Sequence, residues 1–220
     1  MSAAAVTAVT IDELVLADSP ERWSALGFEL DSDRLQLGTV SLRLAGPDAG
    51  RGIVSWTLRG ASSTELDGLS TALSETALRE PRAAHPNGIS AIDHVVAMTP
   101  ALDRSAQALK DAGLDLRRIR EEPTPAGAPR QAFFRLGAEI LELVQEPEHV
   151  IAARDRGVDR PVRLWGLALL APDLDRTVAA LGEQVGEPRD AVQHGRRIAT
   201  VKRSAGLAVP VALISPTPPA

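Results

Sequence analysis

The stretch AIDHVVAMTP, residues 91–100, decides the fold, because it is typical of a strand that leads directly into a helix. It has apolar residues on both faces, as expected for a strand covered on both sides. Thr99 and Pro100 then provide a helix start, and the apolar stripe of that helix ends near Gly113. One of only four histidines in the chain, His94, lies inside this strand.

Three more strands are predicted after this helix. They cover DLRRIRE (115–121), RQAFFRLG (130–137) and AEILELVQ (138–145), and the Pro/Gly-rich loop EPTPAGAP separates the first two. The unit is therefore one strand, one helix and three strands, or βαβββ.

The same pattern recurs along the chain. An earlier copy begins with TIDELVLADSPERWSALGF (10–28), and LQLGTVSLRLA (35–45) overlays FRLGAEILELV (134–144) without a gap. A third copy begins at RLWGLALLAPDLDRTVAAL (163–181), and a degenerate fourth piece at 52–73 supplies only a strand and a helix.

These copies predict a division of the chain into two parts. Residues 1–88 hold the first module and the degenerate strand-helix module, and residues 89–220 hold two complete βαβββ modules. The segment REPRAAHPNG (79–88), which contains His85, is the predicted linker between them.

Composition limits the function classes. The net charge of −5 and the absence of long basic runs argue against nucleic acid as a partner. The chain has no cysteine, which removes disulfides, thiolate metal sites and a cysteine nucleophile. It shows no signal peptide and no apolar run of about 20 residues, so we expect a cytoplasmic protein without a membrane span. Glycine-rich phosphate loops, Gly-x-Ser-x-Gly and His-Glu-x-x-His motifs are also missing.

The residues IDHVVAMTPALDR, AGLDL and RQAFFRLGAEILELV resemble the vicinal oxygen chelate superfamily, which includes glyoxalase I, bleomycin-resistance proteins and extradiol dioxygenases. The resemblance is strongest at 91–147, extends to 8–45 and 163–215, and is partial at 52–80. It implies an α+β fold in which repeated βαβββ modules pair into curved mixed sheets around a cavity, the glyoxalase-like fold.

The resemblance also implies a metal site. In the superfamily each module can offer one ligand from its first strand and one from its last, and these positions in the middle module are His94 and Glu142. The residue pattern agrees, because alternate residues of a strand share a face, and this places Glu142 with Ile140 and Val144.

The other modules supply fewer ligands. The matching positions of the last module are Gly166 and Ala212, which cannot bind a metal, whereas the first module offers Glu13. If modules one and two pair, His94, Glu142 and Glu13 form a three-ligand divalent site with open positions for substrate. If modules two and three pair, only half a site remains, and a hydrogen-bonded His94–Glu142 pair needs no ion.

Further side chains are candidates for binding a ligand. Arginines can clamp a carboxylate or phosphate, tryptophan can stack on a planar group, and a histidine in a turn can act as an acid or base. The candidate ligand-binding residues are Arg130, Phe134, Trp165, His194 and Arg197.

Two functions follow from this reading. The first is a lyase, isomerase or dioxygenase with an incomplete divalent-metal site, which acts on a small oxygen-rich molecule with Glu142 as the catalytic residue. The alternative is a metal-free protein that binds or sequesters a small molecule, as bleomycin-resistance proteins do. A regulatory interaction module is a third class. We expect a small-molecule ligand and a monomer or homodimer.

Overall fold

The computed structural model describes residues 8–124 and 127–218, so two residues of the predicted Pro/Gly-rich loop lie outside the described residues. The strands and helices in chain order are β1 (Thr10–Leu16), α1 (Pro20–Ala25), β2 (Arg34–Leu37), β3 (Val40–Leu44), β4 (Ile53–Arg59), β5 (Thr71–Ser74), β6 (Ala91–Thr99), α2 (Leu102–Asp111), β7 (Asp115–Arg120), β8 (Gln131–Leu136), β9 (Glu139–Gln145), α3 (Glu148–Ala152), β10 (Arg163–Leu170), α4 (Leu174–Leu181), β11 (Arg189–Asp190), β12 (Arg197–Thr200) and β13 (Val211–Ile214).

The second and third modules share one mixed sheet of eight strands. Its order is β11-β12-β13-β10-β6-β9-β8-β7. The first strands of the two modules, β6 and β10, pair antiparallel at the centre, and each also pairs in parallel with the last strand of its own module. Modules two and three are therefore the ones that pair.

The N-terminal part forms a smaller sheet on the same plan. Its order is β2-β3-β1-β4-β5, with β1 and β4 antiparallel at the centre. In the first module only two strands, β2 and β3, follow the helix α1, instead of the three that follow α2 in the middle module. The predicted α+β fold of repeated modules that pair into mixed sheets is thus confirmed.

The helix that the sequence predicts in the degenerate module does not form. Residues 60–70, between β4 and β5, are turns and bends. Asp67 and Gly68 have φ values of 52° and 85°, a left-handed conformation that a right-handed helix does not contain. Leu66 and Leu69 still pack into the core, so the apolar spacing that suggested a helix serves a compact loop.

One face of the eight-stranded sheet is buried against the helices and the N-terminal part. Trp23 of α1 lies beside Leu169 and Leu213 of this face, around one small apolar void. Several large aliphatic side chains are buried on this face, and removing each of them from water stabilises the fold by about 1.5–3 kcal/mol. The buried face includes Val95, Ala97, Leu141, Leu143, Leu167, Leu169 and Leu213.

The opposite face of this sheet, which we call the open face, carries partly exposed side chains. It includes Phe133, His94, Val96, Met98, Ile140 and Glu142. Among the helices of the described residues, none is long and apolar enough to span a membrane.

The predicted linker is part of the fold, because His85 is buried in it. The Nδ1 atom of His85 accepts a hydrogen bond from the backbone N–H of Glu29 at 3.1 Å, and Nε2 donates to the carbonyl of Gln36 at 3.0 Å. Burial lowers the pKa of His85. The neutral imidazole therefore joins residues 79–88 to the N-terminal sheet.

His85 is expected to make the fold less stable in mild acid. Its pKa is lower in the folded chain than in the unfolded one, so the unfolded chain takes up a proton first as the pH falls below about 6.5. Urea unfolding at pH 7.5 and 5.5 would show a smaller loss of stability in His85→Gln than in the wild type. His149→Gln, at an exposed position, is the control, and an equal change in both variants would contradict this role.

Candidate active site

His94 and Glu142 meet on the open face. Strands β6 and β9 are parallel neighbours, with His94 opposite Ile140 and Val96 opposite Glu142, so His94 and Glu142 are diagonal neighbours. The His94 Nε2 atom lies 3.4 Å from Oε2 of Glu142, and the two side chains are 13% and 16% exposed. Both polar groups therefore face the same part of the open face and are reachable from solvent.

A β-bulge places Asp93 beside His94. On the neighbouring strand β10, Ala168 pairs with His94 and Leu169 pairs with Ile92, so Asp93 is the extra residue. The Nδ1–H of His94 donates to Oδ2 of Asp93 at 2.8 Å. This hydrogen bond fixes the imidazole and leaves Nε2 facing Glu142.

Arg196 keeps Asp93 ionised. Its guanidinium donates to Oδ1 of Asp93 at 2.5 Å and to Oδ2 at 3.3 Å, and it also donates to the carbonyl of Ser215. Burial alone would raise the pKa of Asp93, but hydrogen bonds from His94 and Arg196 outweigh it and hold the pKa below its ordinary value. Asp93 is therefore a fixed acceptor for His94.

The pKa of Glu142 is shifted in the opposite direction from that of Asp93. Burial raises the pKa of its carboxyl, and the charges of His94 and Arg120 offset this only in part. The side-chain amide of Gln131 donates to Oε1 of Glu142. A carboxyl whose pKa is raised by burial, next to a ring nitrogen of a histidine, is suited to general acid–base chemistry.

The donors around this pair do not fit a divalent-metal site. Such a site needs about three or four protein ligands, and the described residues contain no group of three or more His, Asp or Glu side chains arranged to hold an ion. Modules two and three pair, and the equivalent positions of the third module are Gly166, which pairs with Val96, and Ala212, which pairs with Ala168. Neither side chain can bind a metal. A Cβ atom at Gly166 would lie 3.0 Å from the carbonyl oxygen of Pro210.

Glu13 does not join His94 and Glu142, contrary to the three-ligand alternative. It lies on β1 of the five-stranded sheet, where it forms ion pairs with Arg34 and, at 3.4 Å, with Arg43. The first module pairs with β4 instead of with the middle module, so Glu13 faces its own sheet neighbours.

Phe134, a candidate ligand-binding residue, is fully buried on the other face of the sheet. It pairs with Leu141, whereas Phe133 pairs with Glu142 and shares the open face with it. Phe134 therefore packs the core, and Phe133 is the aromatic side chain next to the site.

The four remaining candidates are not gathered around the pair. Arg130 forms ion pairs with Glu121 and Asp103, and Arg197 with Asp175 at the start of α4. His194 is exposed in the turn between β11 and β12. Trp165 is the extra residue of a second bulge, between Leu164 and Gly166, and is 41% exposed.

Sequence reasoning missed Asp93, Gln131 and Phe133 as members of the site. Asp93 directly precedes His94, and strict strand alternation assigns neighbours to opposite faces. Only the bulge brings them together. The adjacency of an acid and a histidine in the strand was the one available signal.

No protein-family model matches the sequence, and no curated protein matches it significantly. Among solved structures, a xylose isomerase-like TIM barrel/4-hydroxyphenylpyruvate dioxygenase fusion protein matches with a TM-score of 0.62 and 14% identity, over 99% of this chain and 50% of that chain. Methylmalonyl-CoA epimerase from Mycobacterium tuberculosis matches with a TM-score of 0.49 and 19% identity, over 62% of this chain and 95% of that chain. The Streptomyces coelicolor methylmalonyl-CoA epimerase in complex with 2-nitronate-propionyl-CoA matches with a TM-score of 0.46 and 20% identity, over 59% of this chain and 99% of that chain. The full-length likeness shows the fold alone, which is the glyoxalase-like fold predicted above.

Proposed function

We propose that this chain, which has the glyoxalase-like fold of the vicinal oxygen chelate superfamily, binds a small carbonyl compound on the open face and moves a proton on it through His94 and Glu142. The proposal rests on one observation, the 3.4 Å approach of Nε2 of His94 to the carboxyl of Glu142. A hydrogen bond orients each group: His94 donates to Asp93, and Glu142 accepts from Gln131.

Each group has a defined task in this proposal. Nε2 of His94 removes a proton from the carbon next to the carbonyl, because Asp93 accepts from Nδ1 and stabilises the imidazolium that forms. Glu142, whose raised pKa favours the protonated carboxyl, gives a proton to the carbonyl oxygen, so the C–H bond breaks, an O–H bond forms and an enol results. Return of a proton to the carbon completes an isomerisation or an exchange with solvent.

This reaction class uses only the side chains of the site. A metal-dependent reaction has less support, because two protein ligands are fewer than a divalent site requires. Binding without turnover is the second candidate, and it is favoured by the partly exposed apolar side chains of Phe133, Val96 and Met98 around the pair.

Proton exchange in D₂O tests the proposal. The methyl protons of pyruvate and of hydroxyacetone, both small carbonyl compounds, would be followed by ¹H NMR with the protein at neutral pH. We expect His94→Gln and Glu142→Gln each to slow exchange at least about a hundredfold, the usual size of a general acid–base contribution.

Glu139→Gln is the matched control, because Glu139 is also a buried acid of β9 but is its first residue, opposite Leu136 on the buried face of the sheet. Circular dichroism would show that each variant folds. Exchange at the same rate in the wild type and both site variants would reject the acid–base function. Chemical-shift changes on ligand addition without exchange would favour the binding alternative.

A further inference from the structure

Two arginines of the edge strand β7 lie on the open face beside the acid–base pair. Arg118 pairs with Phe133, which pairs with Glu142. Arg120 pairs with Gln131, the residue whose amide holds Glu142. Cross-strand partners share a face, so both arginines point to the side of Glu142, about 10 Å away across two strand spacings.

A contact with Phe133 holds the Arg118 guanidinium beside the site, and the register of β7 places Arg120 next to Gln131 on the same face. The guanidinium carbon of Arg118 lies 4.9 Å from the centre of the Phe133 ring, a cation–π contact. Burial raises the pKa of Glu142, and the charge of Arg120 is among those that oppose this shift. Both arginines thus lie within reach of a small molecule bound at His94 and Glu142.

The charges of these arginines are poorly neutralised by the protein. Within the described ranges, no carboxylate lies within 4 Å of Arg118. Arg120 has Glu122 at 3.8 Å, but that side chain is 79% exposed, and such a pair contributes little. Asp93 does not compensate, because it is paired with Arg196.

Their neighbour Arg117 provides a contrast. It is the extra residue of a bulge between Leu116 and Arg118, and it has its own partner, Asp115, at 3.1 Å. The surplus positive charge of β7 is therefore concentrated at Arg118 and Arg120.

We infer that Arg118 and Arg120 bind the carboxylate of the substrate, so the substrate class is small 2-oxo or 3-oxo acids instead of neutral carbonyl compounds. This inference rests on the proposed function for the carbonyl end of the molecule. Guanidinium groups bind carboxylates through paired, charge-assisted hydrogen bonds. The carboxylate is held toward β7 while the carbon next to the carbonyl lies at His94 and Glu142.

An NMR titration with pyruvate, and with hydroxyacetone as its neutral counterpart, tests the inference. We expect Arg118→Met and Arg120→Met each to raise the Kd for pyruvate at least tenfold and to leave hydroxyacetone binding unchanged. Arg117→Met is the matched control and should bind pyruvate as the wild type does. Added sodium chloride should weaken pyruvate binding in the wild type more than in the arginine variants.

The outcomes separate this inference from the proposed function. Arginine-dependent binding of pyruvate without proton exchange would support the anion site and reject the acid–base role. Exchange of both ligands with no dependence on Arg118 or Arg120 would support the acid–base role and overturn the anion site. The anion site is also overturned if the wild type does not bind pyruvate, or if Arg117→Met weakens binding as much as the other two substitutions.

Discussion

Glu146→Gln is expected to lower the free energy of unfolding by about 3–5 kcal/mol, the cost of removing one partner from a buried ion pair. Glu146 is only 1% exposed and faces three guanidinium groups. Arg160 donates to its carboxylate, Arg163 lies at 3.4 Å and Arg154 at 3.6 Å. Glutamine keeps the volume but removes the single negative charge, which leaves three neighbouring positive charges without compensation.

Urea unfolding at neutral pH would measure this loss. Glu148→Gln is the control, because Glu148 is exposed at the start of α3, and it should change stability by less than about 0.5 kcal/mol. Burial opposes ionisation of Glu146, but its arginines hold the pKa below the ordinary value. In the wild type this stabilisation is therefore present above the unfolded pKa and is lost as the pH falls through the lower folded pKa. Equal losses in the two variants would refute this account.

Glu139→Gln is expected to have the opposite effect, a gain in stability that grows with pH. Burial raises the pKa of Glu139 to about 7, from an ordinary value of 4.5. The folded chain accommodates the protonated carboxyl better than the ionised one. The contribution of Glu139 to the free energy of unfolding is therefore complete below pH 4.5 and is lost as the pH rises toward 7. Removing the ionisable group is expected to stabilise the protein by up to about 3 kcal/mol at pH 8.

Unfolding of Glu139→Gln and of the wild type at pH 5 and pH 8 would test this expectation. The gain should be about 2 kcal/mol larger at pH 8 than at pH 5, because the unfolded carboxyl is only partly ionised at the lower pH. A gain that does not depend on pH would show that the carboxyl of Glu139 is not responsible.

The repeated pattern of the sequence was enough to predict the fold. The overlay of 35–45 on 134–144 marks two hairpins, and these appear as β2-β3 and β8-β9. The secondary structure of the degenerate module is harder to predict, because Leu66 and Leu69 have a spacing that also suits a helix. A single sequence does not show that Asp67 and Gly68 adopt left-handed conformations between them.

The approach of His94 to Glu142 follows from strand alternation and from the parallel pairing of the first and last strands of a module. Other site residues were missed by one position. The sequence favours Phe134 over Phe133, since the register of β8 against β9 decides which of them faces the site, and one sequence does not define that register.

An error of one position also affects the choice between Arg196 and Arg197, and the face assigned to Asp93. Arg197 pairs with Asp175 on the helix side, while Arg196, one residue earlier, reaches Asp93. Asp93 itself changes face through a bulge, and a bulge depends on the partner strand. Errors of one residue are therefore expected wherever alternation alone assigns a face.

The tight contact between Gly166 and Pro210 also limits how this chain can change. A histidine at 166, the position of the third module that is equivalent to His94, would bring its first side-chain carbon to 3.0 Å from the Pro210 carbonyl oxygen. The Pro210 carbonyl would have to move by a few tenths of an ångström, and it already accepts a hydrogen bond from the backbone N–H of Leu167. An engineer who wants a metalloenzyme from this scaffold should start by redesigning the loop before β13, and only then add the ligand.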